Sequence, residues 1–250
     1  MSDFSDKKSK NIKNNIDCGK TAGLNKSGGE AKSVRKSACT KEKIMLIALK
    51  LFAEKGYEAT SVSDIAENLA LSKSALYKHY KNKRDIFEAI ILKAEKNDFD
   101  NAAAFSMPES ELCESGESEN AYKSVEIKNL IEYSKAQLEY WVNDPFASDF
   151  KKMLMHERFS DENAAALFEQ YLASGPLGYV TDIFKKIGIK NPELTAFEFY
   201  APMFFAYFSG VERSEKSNVE YKAKNTESAV NGLIAAHFEN QFKKLSKKTV

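Results

Sequence analysis

Apolar residues recur at helical spacing along most of this 250-residue chain. Ile44, Ile47, Ala48, Leu51 and Phe52 fall at i, i+3, i+4, i+7 and i+8, one face of a helix. Thr40 precedes them as an N-cap, and Gly56 follows as a terminating C′ glycine. A short second helix opens at Thr60 or Ser61. Asp64 sits in its first turn, and Val62, Ile65, Ala66 and Leu69 form its inner side. Ser72 caps a third helix. Asn82 caps a fourth, with Asp85 at the acidic N3 position. That helix continues through Ile86, Phe87, Ile90, Ile91 and Ala94 to about Asn101.

A polar, acidic break follows over residues 108–118. Helical periodicity resumes with Ile127, Leu130, Ile131, Leu138, Trp141 and Val142. Pro145 opens a helix through Met153 and Phe159. Ser160 or Asp161 starts the next, which carries Leu167, Phe168, Tyr171 and Leu172. Gly175-Pro176 interrupts it, and Leu177 to Ile187 resumes. Asn191-Pro192, an N-cap with proline at N1, opens a helix that is apolar nearly all round from Phe197 to Phe208. Pro202 is expected to kink it. Residues 213–225 are polar and predict a loop. A last helix runs from about Thr226, with Val230, Leu233, Ile234, His237, Phe238, Gln241 and Leu245 on one side. No strand-like alternation competes. The pattern predicts an all-α fold: an N-terminal three-helix head with a helix-turn-helix, and a larger C-terminal helical domain.

Charge refines the division. The net charge is only +1, unevenly distributed. Residues 1–39 hold nine Lys/Arg against four Asp/Glu, and residues 40–97 hold eleven against eight, so the remainder carries −7. A basic front and an acidic back fit a polyanion-binding head on a body that leaves the polyanion alone. Residues 1–39 have few large apolar side chains to offset the entropy of ordering, which predicts a disordered basic tail. The expected domains are that tail, a head with its connecting fourth helix at 40–97, and a body at 98–250.

Cys18, Cys39 and Cys113 show neither metal spacing nor a disulfide framework, as expected of a reduced, cytoplasmic setting. The chain shows no signal core and no apolar run approaching twenty residues, so no membrane association is expected. His79, His156 and His237 are scattered, which argues against a metal site. There is no phosphate loop, nucleophile elbow or zinc-protease motif. No catalytic residues, no cofactor and no enzyme activity are expected.

Residues 60–80 carry the functional signal. Leu71, Leu76 and Tyr80 anchor the third helix inward, leaving Lys73, Ser74, Tyr77, Lys78 and His79 outward. Lysine donates to guanine O6 and N7, serine serves either base type, and Ala75 and the Tyr77 ring suit a thymine methyl. Lys81, Lys83 and Arg84, at the start of the fourth helix, suit a phosphate. The plainer readings are that Tyr77 and Tyr80 are both core and that the charges are merely solvated.

The ordered set Ile47-Ala48, Leu51-Phe52, Lys55-Gly56-Tyr57, Thr60-Ser61-Val62, Ile65-Ala66, Leu71 to Lys83 and Ile86-Phe87 resembles the tetracycline-repressor (TetR) family of bacterial regulators. The resemblance covers about a fifth of the chain. It implies a homodimer on a near-palindromic double-stranded DNA operator, most simply a repressor, with a body that binds a small molecule and releases DNA. It also implies that Thr60 and Ser61 contact phosphate, and that Lys73, Ser74 and Ala75 face bases beside the capping Ser72. Tyr77 and His79 would reach base or phosphate, and Lys83 would pin the backbone. The family usually has glycine where this chain has Ala70, and a positive φ there would cost on the order of 1 kcal/mol. Position 74 is also often glycine in the family, so the resemblance makes Ser74 an added base contact.

A helix that is apolar all round must be covered on every side. Phe197, Tyr200 and Phe208, with Val230, Leu233, Ile234, His237 and Phe238, are the expected interface with a second copy. Tyr133, Met153, His156, Phe168, Tyr171 and Phe204 are the expected lining of a pocket for an apolar or amphipathic ligand, against the plainer reading of aromatic stripes as core. His156-Glu157-Arg158 could read a ligand's polar end, or be surface charge. The rival function is a helical protein-interaction adaptor that does not select DNA sequence.

Overall fold

A computed structural model describes residues 30–108, 121–209 and 220–247, with side chains over 37–108, 121–208 and 232–247. Ten helices are named among them: α1 Glu30–Lys55, α2 Val62–Asn68, α3 Lys73–Tyr77, α4 Lys83–Ala104, α5 Ile127–Asn143, α6 Pro145–Glu157, α7 Glu162–Leu172, α8 Ser174–Lys186, α9 Pro192–Ser209 and α10 Glu220–Ser246. No strand occurs among the described residues. The fold is all-α, as the periodicity predicts.

The chain divides into two compact units, 1–92 and 93–250, with the division inside α4. The expected boundary lay five residues later. In the first unit α1 packs on α2, and α2 on α3. Ile44, Ala48 and Phe52 of α1, Ile65 of α2, Leu76 of α3 and Ile86 and Ile90 of α4 are buried. Phe52, Tyr57 and Phe87 form an aromatic trio, with ring centroids 5.1 Å apart for Phe52–Tyr57 and 5.4 Å for Tyr57–Phe87. Such tilted and edge-on contacts are favoured over flat sandwiches.

In the second unit α8 packs on α7 and α9, while α5 meets α6, α9 and α10. Phe184 of α8, Phe199 of α9 and Phe238 of α10 meet edge-on at 5.9 and 6.2 Å. Leu130, Ile183, Ala196 and Leu245 complete this core.

Several boundaries differ from the sequence expectation. Helix α1 begins at Glu30, so part of the expected tail is helical and Thr40 lies inside the helix rather than capping it. Residues 30–39 are rich in Glu, Ala, Lys and Arg, which favour a helix without needing an apolar face. Helix α10 likewise begins at Glu220, overtaking the end of the predicted 213–225 loop. Helix α4 runs to Ala104, and Met107 N–H closes it on the Ala102 carbonyl, with Ser106 at φ 54°. The predicted break at 108–118 lies outside the described residues beyond Pro108, as do Cys18 and Cys113. Pro145 opens α6 at N1, as read from sequence, and Asp144 caps it, which the sequence reading did not name.

Candidate nucleic-acid interface and ligand cavity

The helix-turn-helix is built by its caps. Ser61 forms a reciprocal capping box. Its Oγ accepts from Asp64 N–H at 3.1 Å, and its own N–H donates to Asp64 Oδ2 at 2.8 Å. The backbone and hydroxyl hydrogen bonds from Ser61 hold the Asp64 carboxyl below its ordinary range. Ser72 Oγ accepts from Ala75 N–H at 3.2 Å and lies 3.0 Å from Ser74 Oγ. Asn82 Oδ1 accepts from Asp85 N–H, and Asp85 Oδ2 from Lys81 N–H, which starts α4 as predicted. Between α2 and α3, Ala70 sits at φ 52°, so this chain carries the strained alanine that its sequence raised as a condition.

Helix α3 presents two faces. Leu76 and Tyr80 are buried, and Tyr80 Oη donates to the Lys41 carbonyl at 3.2 Å. Burial pushes that phenol up to about 12. Ser72, Lys73, Ser74, Tyr77 and Lys78 are exposed, and Ala75 and His79 are half-buried beside them. The structure therefore brings seven of the predicted DNA-contacting residues onto one short helix and its ends. Lys83 is held to the head itself. Its Nζ donates to the Tyr57 carbonyl at 2.7 Å and lies 4.0 Å from the centre of the Tyr57 ring.

Thr60 is a correction. It is fully buried, and its hydroxyl is placed against the Gly56 carbonyl at 2.8 Å and the Leu51 carbonyl at 3.3 Å. It ties off the end of α1 and has no surface to offer a phosphate. Of the expected Thr60–Ser61 pair, only Ser61 is exposed.

The second unit contains a cavity of about 880 Å³, within the usual size range of small-molecule sites. Its walls come from α4, α5, α7, α8 and α9. Tyr133 and Tyr171 line it, as expected. Met153, His156, Phe168 and Phe204 do not. Met153 is wholly enclosed in the packing of α6, and His156 of the same helix points to solvent. Phe168 is covered by the Arg158 guanidinium at 4.4 Å, and Phe204 packs on Phe208 at 4.4 Å. The sequence pattern marks Met153, Phe168 and Phe204 as apolar but cannot separate cavity wall from solid core.

The reading missed Asp98, Gln137, Trp141, Tyr179, Met203 and Tyr207, which also line the cavity. A carboxylate breaking the apolar face of the long α4 was the available signal for Asp98. Asn101 Nδ2 donates to Gln137 Oε1, and Gln137 Nε2 donates to Asp98 Oδ1 at 3.1 Å. Burial pushes the Asp98 carboxyl up to about 6 despite that bond. Tyr179 Oη donates to the Pro108 carbonyl at 2.6 Å, and Tyr200 Oη to the Leu172 carbonyl at 3.1 Å. The buried hydroxyls of Tyr171 and Tyr207 have no partner among the described residues.

Of the expected interface, Phe197 and Leu233 are exposed, at 57% and 70%. Leu194, Phe205 and Phe242 join them, unforeseen. Phe238 belongs to the core instead, and Tyr200 is engaged with Leu172. Phe208 packs against Phe204 and Tyr207, Ile234 packs against the core, and His237 Nε2 sits 2.9 Å from the Phe199 carbonyl. The Val230 side chain lies outside the described residues. No metal-ligating cluster and no helix long and apolar enough to cross a membrane occur among the described residues.

Residues 44–90 match the family model "Bacterial regulatory proteins, tetR family". The biofilm operon icaADBC HTH-type negative transcriptional regulator IcaR of Staphylococcus epidermidis is 45% identical over 47 residues, which is 19% of this chain and 25% of that protein. The IcaR of Staphylococcus aureus strain Newman is 44% identical over 48 residues, 19% of this chain and 26% of that protein. The match thus spans about a quarter of the length of these relatives. Among solved structures, Salmonella enterica GusR aligns over 78% of this chain and 94% of its own, with 19% identity and a TM-score of 0.44. SmeT, the repressor of the Stenotrophomonas maltophilia multidrug efflux pump SmeDEF, aligns over 79% and 91%, with 15% identity and a TM-score of 0.46. The matched segment, the Ser61 capping box, the Ser72 cap and the exposed face of α3 agree: residues 44–90 are similar to the N-terminal helix-turn-helix of the tetR family of bacterial regulatory proteins.

Proposed function

We propose that the chain is a transcriptional repressor in the bacterial cytoplasm. It binds a near-palindromic operator as a homodimer and is released by a small molecule held in the cavity of the second unit. The observation that supports this best is the match at residues 44–90 to a family of DNA-binding regulators, coupled with an α3 whose outer side is Lys73, Ser74, Tyr77 and Lys78. Repression rather than activation follows the IcaR relatives, which are negative regulators.

In this reading Lys73 and Ser74 meet base edges, with Ala75 and the Tyr77 ring against thymine methyls, and Ser61, Lys78, His79 and Lys83 near the phosphates. Exposed Leu194, Phe197, Phe205, Leu233 and Phe242 supply the apolar surface that a second copy covers. Two heads then address half-sites about 34 Å apart or somewhat more. Helix α4 gives Ile86, Phe87 and Ile90 to the head core and Asp98 and Ala102 to the cavity wall. A ligand that fits the DNA-incompetent state better shifts the population away from DNA, since equal affinity for both states shifts nothing.

The test is selection of genomic fragments by the full chain, followed by footprinting at near-physiological salt. A protected near-palindrome is expected. Lys73→Ala should relax its base preference. Lys78→Ala should weaken all sequences alike and make the salt slope shallower by about one unit. Enrichment of no sequence over random DNA would overturn the reading and favour the adaptor.

A further inference from the structure

We infer that the cavity selects an organic cation: an apolar, drug-sized molecule carrying a protonated amine that pairs with Asp98. This rests on the ligand-responsive reading above and names the class of ligand.

Three observations converge on that charge. First, among the described residues Asp98 is the only carboxylate of the cavity lining that is not exposed. One oxygen accepts from Gln137, and the other has no partner among the described residues. The second acidic lining residue, Glu95, is exposed. Second, no lysine, arginine or histidine is among the described residues that line the cavity. A half-buried carboxylate facing an apolar cavity without a cation is costly to keep ionised, and a ligand ammonium supplies the missing partner. The same absence leaves a carboxylate ligand nothing to pair with. Third, two buried hydroxyls, Tyr171 Oη and Tyr207 Oη, lie on residues of the same wall without partners. Burial chiefly holds both phenols in the neutral form, and the charge of Asp98 adds to it. A protonated amine has several N–H donors, and the carboxylate and phenol oxygens are acceptors. Tyr133 and Trp141 add aromatic lining beside that charge, while the Tyr207 ring already holds the Lys151 ammonium at 3.9 Å. Met107, Leu138, Val180 and Met203 receive the apolar remainder.

Asp98 buried as a plain structural residue is the competing account. It predicts no preference among ligands of equal length and different charge.

The chain contains a single tryptophan, Trp141, and it lines the cavity. Its emission reports occupancy without DNA. Decylamine, 1-decanol and decanoate are titrated into the full chain at pH 7.5, below the concentration at which they aggregate, with calorimetry as a second readout. Decylamine is expected to bind at least about tenfold more tightly than the other two, a difference of about 1.4 kcal/mol. Asp98→Asn should lose that advantage, so that its affinities for decylamine and 1-decanol fall within about twofold of each other. Asp98→Glu should retain a preference for the amine. Equal affinity for the three probes, tighter binding of decanoate, or an amine preference that survives in Asp98→Asn would each overturn the inference. Because no operator is involved, failure here leaves the DNA-binding reading standing, and failure of the footprinting leaves this result standing.

Discussion

Asp98→Asn should make the free protein more stable at neutral pH. In the folded chain the carboxyl titrates at about 6, raised by burial from 3.8, with the Gln137 hydrogen bond opposing the rise. Each pKa unit corresponds to about 1.4 kcal/mol, so keeping Asp98 ionised at pH 8 costs up to about 3 kcal/mol. The folded value lies above the unfolded one. The favourable contribution of the protonated form is therefore complete below about pH 3.8 and lost as the pH rises through about 6. Tyr133, Tyr140, Tyr171 and Tyr207 surround the carboxyl, and burial keeps all four neutral across that window. Asparagine never ionises and still accepts from Gln137 Nε2. The gain should approach 3 kcal/mol at pH 8 and shrink to about 1 kcal/mol at pH 4.5. Urea unfolding followed by Trp141 emission measures it, because that indole lies in the second unit. A gain of equal size at both pH values, or a loss of stability at pH 8, would refute the reasoning. The same substitution is expected to abolish the amine preference, so stability and recognition should move in opposite directions.

Other expectations follow from the head and the exposed apolar surface. Ser61→Ala removes one half of the capping box and should cost about 1 kcal/mol. An NMR titration should find the Asp64 carboxyl moving back up toward its ordinary range. Ala70→Gly relieves a left-handed alanine, so urea unfolding of the head should show a gain of up to about 1 kcal/mol. A loss there would mean that the glycine's unfolded-state entropy outweighs the strain. Phe197→Glu with Leu233→Glu places charges on the exposed apolar surface. Sedimentation should show a shift from dimer to monomer, with unchanged helical content.

The head was readable in the sequence because its signals are local. Ser61, Ser72 and Asn82 cap the helices they precede, and Gly56 and Ala70 mark turns through backbone geometry alone. Thr60 was misread because a threonine at a helix start looks alike whether its hydroxyl faces solvent or the preceding helix. Only the fold brings the Leu51 and Gly56 carbonyls to it. The starts of α1 and α10 were set too late because helix propensity, not an apolar stripe, sustains them. The cavity was the least readable part. Its wall joins Asp98, Gln137, Tyr171 and Tyr207 from four helices, and no periodicity along one helix records which residues of another stand opposite. Met153 and Phe168 carry the same apolar pattern and end in solid core.

The tether on Lys83 bears on how tightly the head could hold DNA. A free lysine samples many rotamers, and halting that motion at a phosphate opposes association by as much as about 2 kcal/mol. Here the Tyr57 carbonyl and ring already restrain the ammonium, using one of its N–H groups and leaving two. The ordering is completed during folding rather than at the encounter. Tyr57 itself is anchored by Phe52 and Phe87. In the proposed DNA-bound state an uncharged ring packed in the head thereby presets a charged contact, and Tyr57→Leu should weaken DNA binding without removing a single cation.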